Sequence, residues 1–304
     1  MMIDLTDTTT EAVHDALRQA RMRLGGVASG MVLTLVIVTH EGAQYDAVRA
    51  ASAAGRQHPC RILVVIIRRP EQRSRLDAEI RVGETTPGET VLLRMYGPLG
   101  QHADSVVIPL LLPDTPVVTW WPEIVPPIPA QDPMGALAQR RITDAAAADS
   151  PAGALSRLAA GYQPGDTDLS WTRATPWRSL LAATMDQPSG PVTGGVVRTE
   201  AGNPTADLIA AWLSHAYGVH FVTETSAGPG ITEVRFTTGA GDITLSRPDG
   251  RVAQLSRPGE PDRRVALHRR EMTELLEEEL RRLDPDEVYA ESLARFQVSP
   301  AAAP

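Results

Sequence analysis

The sequence predicts an α/β protein in two parts. The first is an N-terminal domain with a βαβ unit inside a mixed sheet. The second is a C-terminal α+β domain whose antiparallel meander is backed by helices. Three observations carry this reading. Two β-branched runs, 31–39 and 61–67, are apolar on both faces and flank an Ala-rich helical stretch, as central parallel strands do. Leu76, Ala78, Ile80 and Val82 alternate with Asp77, Glu79 and Arg81, which marks a strand with one wet face. Beyond residue 230, four short β-rich runs are separated by turns such as Pro248-Asp249-Gly250 and Pro258-Gly259-Glu260.

Taken in order, residues 11–24 read as a helix with Val13, Leu17 and Leu24 near one face, stopped by Gly25-Gly26. Strand 31–39, helix 45–56 and strand 61–67 form a right-handed βαβ unit. Strands 76–82 and 90–96 form a hairpin turning at Thr86-Pro87-Gly88. A helix is expected at 102–112 and a strand at 116–121. Pro122, Pro126, Pro127 and Pro129 then exclude a helix or sheet interior and make a loop of fixed shape. Residues 132–138 and 150–160 read as helical, 168–171 as a short strand, and 177–185 as a helix after Pro176. Pro and Gly cluster at 186–191, which sets the boundary between domains 1–186 and 187–304.

The second domain opens with a strand at 192–199. Asn203 caps a helix with Pro204 at its first position, a stripe of Leu208, Ile209, Trp212, Leu213 and Ala216, and Gly218 as its stop. Meander strands follow at 232–237, 243–247, 252–257 and 264–268. Helix 269–283 is expected to cover the meander through Met272, Leu275, Leu276, Leu280 and Leu283. Asp284, Pro285 and Glu287 start a last helix, and 299–304 are expected to be disordered.

The 304-residue chain is 42% hydrophobic and 22% charged, enough for a sizeable core without disulfide or metal. Its net charge of −8 argues against a nucleic-acid or anionic-membrane partner. No apolar run approaches the ~20 residues of a membrane helix. Residues 1–10 are polar and acidic, so no signal peptide is expected and the cytoplasm is the expected compartment. The lone Cys60 excludes an intrachain disulfide and a CxxC site. All 29 basic residues are arginine. The missing lysine rules out a P-loop, a Schiff base and kinase-type chemistry.

The Gly-rich segment 25–30 follows a helix and precedes a strand, the reverse of a dinucleotide-binding loop. No G-x-S-x-G elbow occurs. The seven histidines lack metal-ligand spacing, and Pro59 makes His58-Pro59-Cys60 a rigid turn rather than a catalytic pair. No catalytic residue, cofactor or metal is therefore assigned.

Five tryptophans in a chain with only 4% aromatic residues are more suggestive. Trp120-Trp121 ends a strand, Arg140-Arg141 follows, and Trp171, Arg173, Trp177 and Arg178 form a second group. Trp and Arg dominate interface hot spots, and Arg stacks on Trp. Two readings stay open: core tryptophans packed by the proline loop, or a partner surface or ligand shelf. A rival reading makes the chain a sugar-phosphate enzyme or metabolite sensor, with His40, Glu41, Trp120 and Arg140 around the strand ends of the first domain.

Several strings in this order resemble the glucose-6-phosphate dehydrogenase assembly protein (OpcA) family. They are His58-Pro59-Cys60-Arg61, Leu112-Pro113-Asp114-Thr115-Pro116 with Trp120-Trp121-Pro122, and Asp132-Pro133 through Arg140-Arg141-Ile142-Thr143-Asp144. Asp168-Leu169-Ser170-Trp171-Thr172-Arg173 with Trp177-Arg178, and then Trp212-Leu213, complete the set. The resemblance implies a non-catalytic protein that binds glucose-6-phosphate dehydrogenase, promotes its active oligomer and raises its activity in the oxidative pentose phosphate pathway. On that reading the Trp and Arg groups are the contact candidates. Cyanobacterial members of the family are linked to thioredoxin control through cysteines. This chain departs from that pattern, because Cys60 alone cannot form an intrachain bridge.

Overall fold

The computed structural model describes residues 1–23, 30–68, 73–83, 88–186 and 190–296. The Gly-rich connector up to residue 29, the Thr86-Pro87 turn, 187–189 of the expected boundary and the 299–304 tail lie outside them. The chain runs β1 (Met2–Leu5), α1 (Thr10–Arg23), β2 (Leu33–Thr39), α2 (Gln44–Ala54), β3 (Cys60–Ile67), β4 (Arg75–Val82), β5 (Glu89–Tyr96), α3 (Ala103–Val107), β6 (Val117–Trp121) and β7 (Arg140–Thr143). It continues α4 (Pro151–Gly161), β8 (Asp166–Asp168), α5 (Leu169–Met185), β9 (Val192–Thr199), α6 (Pro204–Tyr217), β10 (Phe221–Thr225), β11 (Ile231–Thr238), β12 (Ile243–Ser246), β13 (Val252–Ser256), β14 (Arg263–Ala266), α7 (Met272–Arg281) and α8 (Glu287–Ala294). Two compact units result: Met1–Thr143 with Met272–Pro285, and Asp144–Glu271 with Asp286–Pro304. Both are mixed α/β, as the sequence predicts.

In the first unit the strand order is β1-β4-β5-β3-β2-β6-β7. β2 pairs in parallel with β3 and β6, β3 with β5, and β6 with β7, while β4 runs antiparallel to β5 and β1. The expected βαβ unit is therefore present, with β2 and β3 in register from Leu33↔Cys60 to Thr39↔Ile66. Their apolar residues fill both faces because both are covered. Val13, Leu17 and Ala20 of α1 pack with Val36, Leu63, Val65 and Trp121. α2 packs on β3 and against α7.

The expected helix at 102–112 shortens to α3, flanked by 3₁₀ turns at Gly97–His102 and Ile108–Leu110. Pro109, which lacks an N–H, sits where the α-helix gives way. Residues 132–138 form turns instead of a helix. There the Asp132 carboxylate accepts from the Met134 N–H at 2.9 Å, an Asx-type bond that competes with helix formation. β7, at four residues, is too short for a period-2 signal.

The larger correction concerns α7. It does not belong with the meander: residues Met272–Pro285 group with the first unit. Arg140 explains the placement. Its Nε and Nη2 donate to Glu279 Oε2 at 3.1 and 2.6 Å, and its Nη1 donates to the Asp284 carbonyl at 3.0 Å. Leu275, Leu276 and Leu280, counted by the sequence reading as the meander's cover, are buried there.

In the second unit the strand order is β10-β9-β11-β12-β13-β14. β11 to β14 form the expected antiparallel meander, and β9 joins it beside β11. β10, absent from the sequence reading, returns parallel to β9 after α6. Asn203 caps α6 by accepting from the Thr205 N–H at 3.1 Å, and Gly218 ends it at φ 64°. The described residues on both sides of the expected boundary, 144–186 and 190–271, fall in this one unit, and α5 packs on α6. α5 also corrects two expectations. The strand foreseen at 168–171 stops at Asp168, whose carboxylate caps the helix through the Ser170 N–H at 2.9 Å. The helix then runs through Pro176 instead of starting after it.

Candidate functional site

The structure places most of the predicted contact residues inside the protein. Trp120 and Trp121 lie on β6 between β2 and β7 and are each 1% exposed. The proline loop packs over Trp121: Gly135 sits so close to the Pro129 carbonyl and the Trp121 ring that a Cβ there has no room. Trp171 is in α5. Its Nε1 donates to Asp286 at 2.8 Å, its ring meets Tyr289 at 5.8 Å, and Arg178 stacks 3.7 Å from its centroid. Arg140 is bound to Glu279, and Arg141 is buried with Nη1 on the Ala138 carbonyl. Of the eight residues, only Arg173 and Arg178 keep part of their surface open. Of the two open readings, core tryptophans packed by the proline loop hold for Trp120 and Trp121, because a strand covered on both faces buries adjacent side chains whichever way they point.

The rival grouping around His40 does not assemble either. His40 pairs with Glu123 at 2.9 Å and Glu41 with Arg68 at 2.9 Å near the end of β2, but Trp120 and Arg140 are enclosed. Cys60 is buried too, and burial pushes its thiol up to about 12, which leaves no thiolate at neutral pH.

Two predicted residues, Arg173 and Trp177, meet in a cleft of about 320 Å³ within the second unit. Asn203 and Thr205 at the start of α6, Arg247 after β12, and the run His268, Arg269 and Arg270 also line it. Asp144 clamps Arg173 through two bonds of 2.7 Å. Burial opposes the charge on Arg173, but Asp144 and Asp168 outweigh it and hold its pKa above the ordinary arginine value. Pro176 cannot donate to the carbonyl four residues back, and Arg270 Nη1 takes that carbonyl, Thr172 O, at 3.1 Å. Arg247 lies 4.9 Å from the Trp177 ring centroid.

Sequence reasoning missed Arg247 and the 268–270 run. A signal was present: Ile243, Leu245 and Arg247 occupy successive inward positions, and an arginine on a core-facing register needs a reason. Among the described residues, no helix is long and apolar enough to cross a membrane, and no group of three or more His, Cys, Asp or Glu side chains could hold a metal ion.

No curated protein matches the sequence significantly. Among solved structures, the chain is similar to a mutant 3-ketoreductase from Actinomadura kijaniata in complex with TDP-benzene and NADP. The identity is 10% and the TM-score 0.48, over 86% of this chain and 94% of that one. It is also similar to a trehalose-6-phosphate protein from E. coli bound with UDP-2-fluoro glucose, at 11% identity and a TM-score of 0.26, over 64% and 65% of the two chains. Neither likeness is close enough to argue from. The family models are more informative. Residues 51–160 match the glucose-6-phosphate dehydrogenase subunit N-terminal domain, and residues 164–293 match the C-terminal domain of the same subunit. The two matches follow one another in order across both units, and the chain belongs to the OpcA family of glucose-6-phosphate dehydrogenase subunit and assembly proteins.

Proposed function

We propose that the protein is a non-catalytic effector that binds glucose-6-phosphate dehydrogenase, favours its active oligomer and raises its activity. The ordered match of both family domains, 51–160 and 164–293, carries this reading. An effector of this kind binds the active form better than the inactive ones and shifts the population. A tenfold shift requires only about 1.4 kcal/mol of differential affinity, well within what one interface can supply. With the tryptophans enclosed, the contact falls to surface-reaching side chains, and Arg173 and Arg178 are the two retained from the predicted set.

The test is the dehydrogenase rate of the same organism's enzyme with and without this protein, beside size-exclusion of the mixture. Co-elution with a lowered KM or a raised kcat is expected. Absence of both binding and activation overturns the reading, and turnover of glucose 6-phosphate by this protein alone overturns its non-catalytic part.

A further inference from the structure

We propose that the cleft of the second unit binds the phosphate of a small phosphorylated metabolite. Arg247 is only 4% exposed. Its two Nη atoms donate to the Leu267 and Ile231 carbonyls at 3.1 Å each, and its Nε is buried with no hydrogen-bond partner. Among the described residues no carboxylate pairs with it. A guanidinium in that position is costly unless an anion completes it. Burial, and behind it the like charge of Arg269, brings the Arg247 pKa down to about 10, with Asp249 offsetting part of this, so the group stays cationic at neutral pH.

The surroundings add positive potential. Arg269 is exposed at the rim. The 14-residue helix α6 begins at the wall with Asn203 and Thr205, bringing its positive dipole end to the same space. Asp144 is spent on Arg173, which leaves Glu200 as the one other carboxylate of the lining. Two arginines and a helix start suit a phosphate dianion, which guanidinium groups bind bidentately.

The cleft is also larger than a phosphate ion needs. At about 320 Å³ it sits at the low end of small-molecule sites, and Trp177, Pro176 and Leu267 give it an apolar side. A compact organic body carrying one phosphate fits that combination. This inference is independent of the dehydrogenase reading, since it concerns the chain by itself.

The experiment is calorimetric titration of the full chain, at fixed ionic strength, with glucose 6-phosphate, inorganic phosphate and glucose as probes. Saturable binding of glucose 6-phosphate is expected, weaker binding of inorganic phosphate, and none of glucose. Arg247→Gln and Arg269→Gln should each weaken binding at least about tenfold, and Arg49→Gln, on an exposed helix face of the other unit, should leave it unchanged. Should Arg247→Gln fail to fold, Arg269→Gln decides, because that side chain is exposed. Absence of saturable binding, or binding that neither variant weakens, overturns the site. Inorganic phosphate binding as tightly as glucose 6-phosphate overturns the organic part of the ligand.

Discussion

Arg61 and Arg140 in the first unit are as deeply buried as Arg247 in the second, but their charges end differently. Arg61 Nε donates to Glu89 at 2.9 Å, and Arg21 reaches the same carboxylate from α1. Arg140 closes on Glu279 and so fastens α7 to the first unit. Among the described residues Arg247 meets two carbonyls and an indole face but no carboxylate. The difference teaches how to tell an arginine that holds a fold from one that waits for a ligand. In the first case the protein supplies the counter-charge, and in the second it leaves the counter-charge out.

The sharpest way to break this comparison is to remove the counter-charge in the first unit. Glu89→Ala leaves two arginines unanswered around a buried site, and we expect a loss of about 3–5 kcal/mol in urea unfolding. A loss under about 1 kcal/mol would mean that the pairing is not structural. Trp121→Ala should cost a comparable ~3–5 kcal/mol, because it empties a core position instead of trimming a surface contact. A fully stable Trp121→Ala protein with weakened dehydrogenase binding would restore the contact reading.

A smaller effect is expected at Asp207, in the first turn of α6. Burial pushes its carboxyl up to about 6, against a lowering hydrogen bond from Thr223. The folded state therefore holds this proton more tightly than the unfolded chain, where the pKa is near 3.9. The group costs nothing below pH ~4, and its cost grows as pH rises to ~6, reaching on the order of 3 kcal/mol above that. Asp207→Asn should accordingly raise the unfolding free energy at pH 7.5 and leave it unchanged at pH 4, as read by denaturation at the two pH values. The smallest effect is expected at the exposed Arg49–Asp46 pair, 2.8 Å apart. Arg49→Ala should leave the thermal midpoint unmoved within error.

Much of the fold was legible because its signals are local. The doubly apolar runs at β2 and β3, the alternation along β4, and the Asn203-Pro204 start with its Gly218 stop all lie within a few residues of one another. What was not legible depends on distant partners. The leucine stripe of α7 says that the helix buries one face, but only Arg140, more than a hundred residues earlier, says where. The sequence leaves the tryptophans open between core and partner surface, because composition cannot report that β6 lies between two strands. The cleft is half visible: Arg173 and Trp177 stand out in the sequence, while Arg247 reads only as the end of a strand.

The most direct test of this account sets Arg140→Met beside Arg247→Met and measures the unfolding midpoint of each with and without saturating glucose 6-phosphate. The account predicts that Arg140→Met is strongly destabilised yet keeps the ligand-induced rise, whereas Arg247→Met stays near the parent stability and loses the rise. Equal destabilisation of both, or a rise that survives in Arg247→Met, would contradict it.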